Sequence, residues 1–492
     1  MPDKIKILKH YVLFKKSAES YFEKNNIEKS VKYINLAAQI GYNYNFQYCD
    51  DDLEDLISKI SLRINPNSIK FQTQENRIVF YDSFGNNRVL AMQYIRAIIS
   101  MDLELLYIFS SNSIDKDLEK EINNYSKSEI IKLDKNSFEE NVSYALSQIA
   151  QFAPKTIIEH FLPWDILGFC ICNDLKSSKR YFINLTDHAY WLGKKCADYF
   201  LEFRNFGFYL SHFQRHIPID KLIFQPYYPL QNNATFLGFP KEVTSDKIIL
   251  FSGSDFYKIF GKDGHFFKMV RRILSENDNA IFLLAGNGDF KPIKSFIKKN
   301  KLQNRFILLG FRNDINEVIK RIDIYINTYP LIGGLMSQYA AVNHKPIIGY
   351  TDENLYSFND TEDLLQTKNK GTLVRNTIDD FHINLNELIE DKNVRSNNIF
   401  ISSNCVITPE KFNNLLSKNL SYPEHMHISL TDNIRINLDS IFELYYDMEI
   451  NFLKQHYITI WAVLNSSILW DHFSIGYISF IHKVVRFIKL RL

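Results

Sequence analysis

Four loops between Lys247 and Tyr350 carry the residue types that hold a diphosphate. The first, KIILFSGSDFYKIF, breaks an apolar run at Ser252-Gly253-Ser254 and places Lys258 just beyond. The second, IFLLAGNGDF, ends in Gly286-Asn287-Gly288, and the third, RFILLGFRNDI, brings Phe311 and Arg312 to a turn. The fourth, DIYINTYPLIGGLMSQYAA, reaches Gly333-Gly334 at a helix start, with Met336 and Ser337 in its first turn. Paired glycines opening a helix let backbone N–H groups approach an anion, and the helix dipole favours negative charge there. Lys258 would add a full positive charge. Taken singly, Gly-Asn-Gly is an ordinary turn, a lone lysine a solvated side chain, and Gly-Gly a means of close packing. Their fixed order is what packing alone does not explain.

A second group lies upstream. Thr186-Asp187-His188 follows the apolar segment YFINL. Histidine is the usual base for deprotonating a hydroxyl near neutral pH, and Asp187 could orient the imidazole of His188 or raise its pKa. A structural, hydrogen-bonding histidine is the alternative. Glu159-His160 and Trp164-Asp165 follow KTIIEH, while Asp82 and Gly85 follow RIVFY. Asp82, Gly85, His160 and Trp164 are candidates to touch a substrate, against the alternative of strand-ending turns. His212 and His216 stand i, i+4 but have no third ligand, and Cys170-x-Cys172 lacks zinc spacing, so no metal is expected.

Loops of this kind need strands and helices to hold them. Strand, turn and helix alternate on both sides of Pro226 and Pro229, which predicts an α/β fold with two parallel-sheet domains. The expected division is a helical extension over 1–65, a first Rossmann-like domain over 66–235, a second over 236–422, and a helical tail over 423–492. Within the extension, AESYFEKNNIEKSVKYINLAAQI breaks at Asn25-Asn26 and resembles a single tetratricopeptide hairpin. One such unit cannot bury its own face, so it must dock on the rest of the chain or on a protein partner.

The order of the four phosphate-type loops resembles the nucleotide-sugar domain of GT-B glycosyltransferases, over about a fifth of the chain. FYKI with HFFKMVRRIL and IFLLAG is similar to the segment where O-GlcNAc-transferase-like enzymes keep a diphosphate-binding lysine, here Lys258. The resemblance implies two Rossmann-like domains facing a cleft. It implies that Gly333, Gly334, Met336 and Ser337 face the donor phosphates, with Phe311-Arg312 beside the base. It also implies that Ser252, Gly253, Gly286 and Asn287 belong to the nucleotide-sugar site, while Asp82, Gly85, His160 and Trp164 line the acceptor side of the cleft. The co-substrate it implies is a nucleotide-diphosphate sugar, UDP favoured, with no other cofactor. TDHAYWLG also resembles a loop of bacterial polysaccharide glycosyltransferases. One departure is the absence of the acidic E-x7-E motif, so retention or inversion stays open. Two alternatives remain: a non-hydrolysing sugar-nucleotide epimerase, and a catalytically silent GT-B subunit that folds or anchors a partner.

Composition agrees with a folded two-domain body: 492 residues, 46% apolar, net charge +2. That charge argues against a nucleic-acid surface. Five scattered cysteines form no disulfide framework, and the charged start MPDKIKILKH is no signal peptide, so a cytoplasmic protein is expected. The last residues, 478–492, set Ile481, Val484, Val485 and Ile488 on one helical face against Lys483, Arg486, Lys489 and Arg491. Basic amphipathic helices of this type lie on anionic membrane surfaces. The expected acceptor is a saccharide, lipid-linked at the inner face of the cytoplasmic membrane.

Overall fold

A computed structural model of the chain describes residues 2–67, 69–85, 88–231, 234–367, 371–403, 405–423, 434 and 436–448. The proposed membrane-facing segment 478–492 lies outside these residues. Among the described residues no helix is long and apolar enough to cross a membrane. The chain forms two compact units, one running to Pro226 and the other from Tyr227 to Pro409. Each holds a parallel sheet with helices between most successive strands, as the alternation of elements predicts; the fifth and sixth strands of the first sheet are joined instead by a loop over 184–198.

The first sheet has strands β1 (Gln74–Asp82), β2 (Glu104–Phe109), β3 (Ser128–Lys132), β4 (Pro154–His160), β5 (Lys179–Ile183), β6 (Tyr199–Glu202) and β7 (Leu222–Phe224). Their order is β3-β2-β1-β4-β5-β6-β7, every pair parallel. The second has β8 (Ile248–Gly253), β9 (Ala280–Ala285), β10 (Phe306–Gly310), β11 (Ile324–Ile326), β12 (Ile347–Tyr350) and β13 (Val374–Arg375), in the order β10-β9-β8-β11-β12-β13. Both sheets wind outward from their first strand in one direction and then in the other. Ligands of such folds sit beyond the carboxyl ends of the two strands at that reversal. These are β1 and β4 in the first unit and β8 and β11 in the second.

The sequence makes these strands because both faces are covered, so near-continuous apolar runs are required. All six residues of β9 are buried. Alternation with period two sends Leu250, Phe282 and Leu284 into one core layer and Phe251, Ile281 and Leu283 into the other.

Three helices precede β1: α1 (Pro2–Glu23), α2 (Ile27–Tyr44) and α3 (Asp51–Ile64). The break falls at the two asparagines, Asn25 in the left-handed region and Asn26 capping α2 through the Lys29 amide. Their buried side docks on the body of the first unit. Ser61 donates to the Cys170 carbonyl at 2.8 Å, and Tyr42 packs edge-on against Trp164. The helix Pro409–Ser421 also belongs with the first unit, which differs from the expected end of the second domain at 422. The reason is local packing. Phe412 lies edge-on to Tyr94, and Asn419 donates to the Phe224 carbonyl at 3.0 Å.

Leu283 sits at the middle of β9, fully buried. Leu283→Ala should cost about 2–5 kcal/mol of stability in urea unfolding, as lost transfer energy plus a residual cavity.

Candidate functional site

At the reversal of the second sheet the loops after β8 and β11 come into contact. Ser252, fully buried, donates its hydroxyl to the Ile326 carbonyl at 2.5 Å and so ties β8 to β11. Its hydroxyl thus has a structural task. A Cβ on Gly333 would lie 3.2 Å from the Gly253 carbonyl and 2.9 Å from Tyr325 Oη, and one on Gly253 would lie 2.8 Å from Met336 Cε. Glycine at both positions suits this close approach, since any larger residue would crowd its neighbours.

The loop after β11 is built by two asparagines that the sequence reading did not single out. Asn327 Oδ1 accepts the amides of Thr328 at 2.9 Å and Gly333 at 2.8 Å. Asn359 Nδ2 donates to the Pro330 carbonyl at 2.7 Å, and its Oδ1 accepts the Ile332 amide at 3.3 Å. Both side chains are buried. A polar residue just past a buried strand was the signal available for Asn327.

The helix Gly334–Val342 starts here without a side-chain cap. The Gly333 amide is taken by Asn327, and the Ser337 amide bonds the Gly333 carbonyl. The amides of Gly334, Leu335 and Met336 therefore have no intrahelical acceptor, and these residues are only half-buried. Ser337 is turned inward, its hydroxyl donating to the Gly333 carbonyl at 3.1 Å. Lys258 stands beside this mouth on a short turn, Phe256–Ile259. Its Nζ donates to the Ile332 carbonyl at 3.1 Å, and its own carbonyl accepts the Leu331 amide at 3.2 Å. An ammonium and a helix N-terminus on adjoining loops make a positive site suited to phosphate.

Gly286 and Asn287 support that turn. Gly286 has φ +144°, and a Cβ there would fall 1.7 Å from the Ser254 carbonyl. The Asn287 carbonyl accepts the Phe256 amide at 2.7 Å, while its side chain is exposed. Ser254 Oγ is buried without a hydrogen-bond partner. Phe311 is 68% exposed, so it offers a face to a ligand. Arg312 does not. Its guanidinium makes two 2.6 Å bonds to Asp314 and one of 2.9 Å to the Gly238 carbonyl, which pins the loop and holds the Asp314 carboxyl below the usual range.

In the first unit, Asp82 and His160 end the two strands at the reversal and meet at 3.0 Å. Tyr107 donates to the other Asp82 oxygen at 2.5 Å. Burial would raise the Asp82 carboxyl, but the imidazole and the phenol bring it below the ordinary value. The dyad is fully buried under Phe84, stacked at 4.5 Å on the ring, and His160 Nε2 has no partner. Gly85 and Trp164 are occupied elsewhere. A Cβ on Gly85 would strike Ser111, and Trp164 packs on α2.

His188 follows β5, its side chain 31% exposed and its Nδ1 3.2 Å from Asp187 Oδ1. Asp187 is fully buried and bonded twice by Arg204, at 2.5 and 3.0 Å. Burial would raise its carboxyl, yet the Arg204 ion pair and His188 hold it at about 2. Asp187 thus orients the ring, while Arg204 already balances its charge. With Nδ1–H directed at Asp187, the Nε2 lone pair is the basic one. Arg204 was legible only as a cation two residues past Glu202. His212 and His216 do not share a helical face, because His216 has left the helix with φ +56°. Among the described residues no three His, Cys, Asp or Glu side chains group as metal ligands.

Asp187 is depressed in the folded state, so the stability it contributes is present above its unfolded pKa and lost as pH falls through the folded value. The stability difference between the wild type and Asp187→Asn should be flat above about pH 5 and narrow between about pH 4 and pH 2. Urea unfolding across pH measures this directly.

No family model matches the chain, and no curated protein matches it. Solved structures match its fold. HepE from Anabaena, crystallised with UDP and glucose, superposes with a TM-score of 0.52 over 70% of this chain and 100% of its own, at 14% identity. An O-GlcNAc transferase mutant from Thermobaculum terrenum gives 0.52 over 90% of this chain and 84% of its own, at 13% identity. A candidate UDP-N-acetylglucosamine 2-epimerase from Listeria monocytogenes gives 0.50 over 72% and 98%, at 10% identity. At such identities the likeness is one of architecture: the chain has the two-domain α/β fold of GT-B glycosyltransferases.

Proposed function

We propose that the chain is a glycosyltransferase that moves a hexosyl or N-acetylhexosaminyl group from a UDP-sugar to an acceptor hydroxyl. The observation that carries this reading is Lys258 beside the uncapped Gly334 helix, at the reversal of the second sheet. HepE, of the same fold, binds UDP and glucose. In the proposed reaction His188 Nε2 takes the acceptor proton as the acceptor oxygen bonds the anomeric carbon. The bond from that carbon to the diphosphate breaks, and the charge left on the diphosphate is met by Lys258 and the helix amides. The pairing of the two sites belongs to the proposal. So does the acceptor, a cell-envelope saccharide carried on lipid, which the basic pattern of residues 478–492 supports.

Lys258→Ala should weaken UDP binding by about 1.5–3 kcal/mol in calorimetry, the scale of a hydrogen bond to a charged group. Unchanged affinity in a folded variant would remove Lys258 from the site, and no UDP binding by the wild type would favour the silent-subunit reading. Conversion of UDP-N-acetylglucosamine to its 2-epimer without UDP release would favour the epimerase.

His188→Ala should lower the rate of UDP release by about 10²–10⁴ while leaving UDP affinity near wild type. A rate close to wild type would return His188 to a structural role.

A further inference from the structure

The loop carrying His188 reaches the surface, yet its backbone is claimed by buried side chains from three other segments. Arg215 Nη2 donates to the Asp187 carbonyl at 2.8 Å and to the Ala189 carbonyl at 2.7 Å. Asn45 Nδ2 donates to the His188 carbonyl at 2.9 Å, and Asn45 Oδ1 accepts the Tyr190 amide at 3.1 Å. Glu54 accepts the amides of Gly193, Lys194 and Lys195 at 2.9, 3.1 and 2.8 Å. Asn45 and Glu54 are both fully buried.

Two of these three clamps come from the N-terminal helices. Asn45 ends α2 in the left-handed conformation, φ 47° and ψ 46°, which asparagine tolerates better than most residues. That conformation turns its amide toward the loop. Gly41, one turn earlier, would place a Cβ 2.9 Å from the Tyr190 ring, so α2 lies directly on this loop. Glu54 lies on α3 and holds the far end of the same segment. The residue bearing the imidazole is thus held by its backbone through Asn45 and by its ring through Asp187. Fixing a reacting group in advance in this way is worth a large factor in rate.

We propose that Asn45, with Glu54 beside it, is a positioning residue for His188, so that the N-terminal helices belong to the catalytic apparatus. This rests on His188 being the base. The variant of choice is Asn45→Gly, because glycine adopts the left-handed conformation and leaves the end of α2 intact while removing the amide.

Hydrogen exchange on the full chain without substrate is the first measurement. Amide protection over 188–195 should fall tenfold or more in Asn45→Gly, on the order expected for a local opening, with the rest of the unit unchanged. Unaltered protection there would overturn the proposal. The second measurement is UDP release from UDP-glucose by wild type, Asn45→Gly, His188→Ala and the double variant. Asn45→Gly should lose on the order of 10–10² in kcat, with KM for UDP-glucose within about twofold of wild type. In the His188→Ala background it should cost nothing further, because residues acting through one group are not additive. An equal loss in both backgrounds would overturn the positioning role. Full turnover by His188→Ala would instead sink the reading of His188 as base, while the exchange result would still decide whether the clamp exists.

Discussion

The second unit depends on one close approach, that of the Gly253 and Gly333 backbones at the reversal of its sheet. A side chain on Gly333 would crowd the Gly253 carbonyl at 3.2 Å and Tyr325 Oη at 2.9 Å, so these neighbours would have to give way. Any shift there bears on the Ile332 carbonyl that Lys258 bonds and on the start of the Gly334 helix beside the ammonium. Asn327 does the complementary work from beneath, drawing the loop back so that the Gly333 amide points inward and the following amides do not. The positive mouth is thus a product of backbone geometry more than of charged side chains. That suits a diphosphate, whose oxygens accept many N–H bonds at once.

The first unit solves a different problem. A histidine near the surface turns freely unless something limits it. Here Asp187 orients the ring and Arg204 balances Asp187. Arg215 is itself fully buried against Trp191, at 4.6 Å from the ring centroid. Its Nη2 donates to two carbonyls, so backbone dipoles meet part of a buried cation's demand, while its Nε is buried without a partner. Burial also pushes the Glu202 carboxyl, bonded by Asn184 and Ser211, up to about 7.

Strands and their loops were legible because their signals are local: apolar runs, glycine pairs and a lysine at a turn. The parallel order of both sheets follows from the alternation of strand and helix, and the break between α1 and α2 from Asn25-Asn26. What the sequence left out is a matter of partners distant in the chain. Asn45, Glu54, Asn327 and Asn359 look like ordinary polar residues until the fold brings their acceptors and donors to them. Arg312, Ser252, Ser337 and Trp164 carry the opposite lesson. Their types suit a binding site, but each is held by a neighbour: Ser252 and Trp164 by Ile326 and Tyr42, far off in the chain, and Arg312 and Ser337 by Asp314 and Gly333 close by.

The Asn45 contact spans 143 positions of the chain. During synthesis α2 leaves the ribosome long before the residues that accept its amide have been made. Glu54 likewise waits, buried nowhere, for three amides near residue 194. The helices at the start of this protein can form early, since their own contacts are local. They can become fixed only after the strand β5 and its loop have been added. Contacts of such long range slow folding and expose apolar surface meanwhile. Helices made well before the loop that fixes them are therefore among the last to reach their final state.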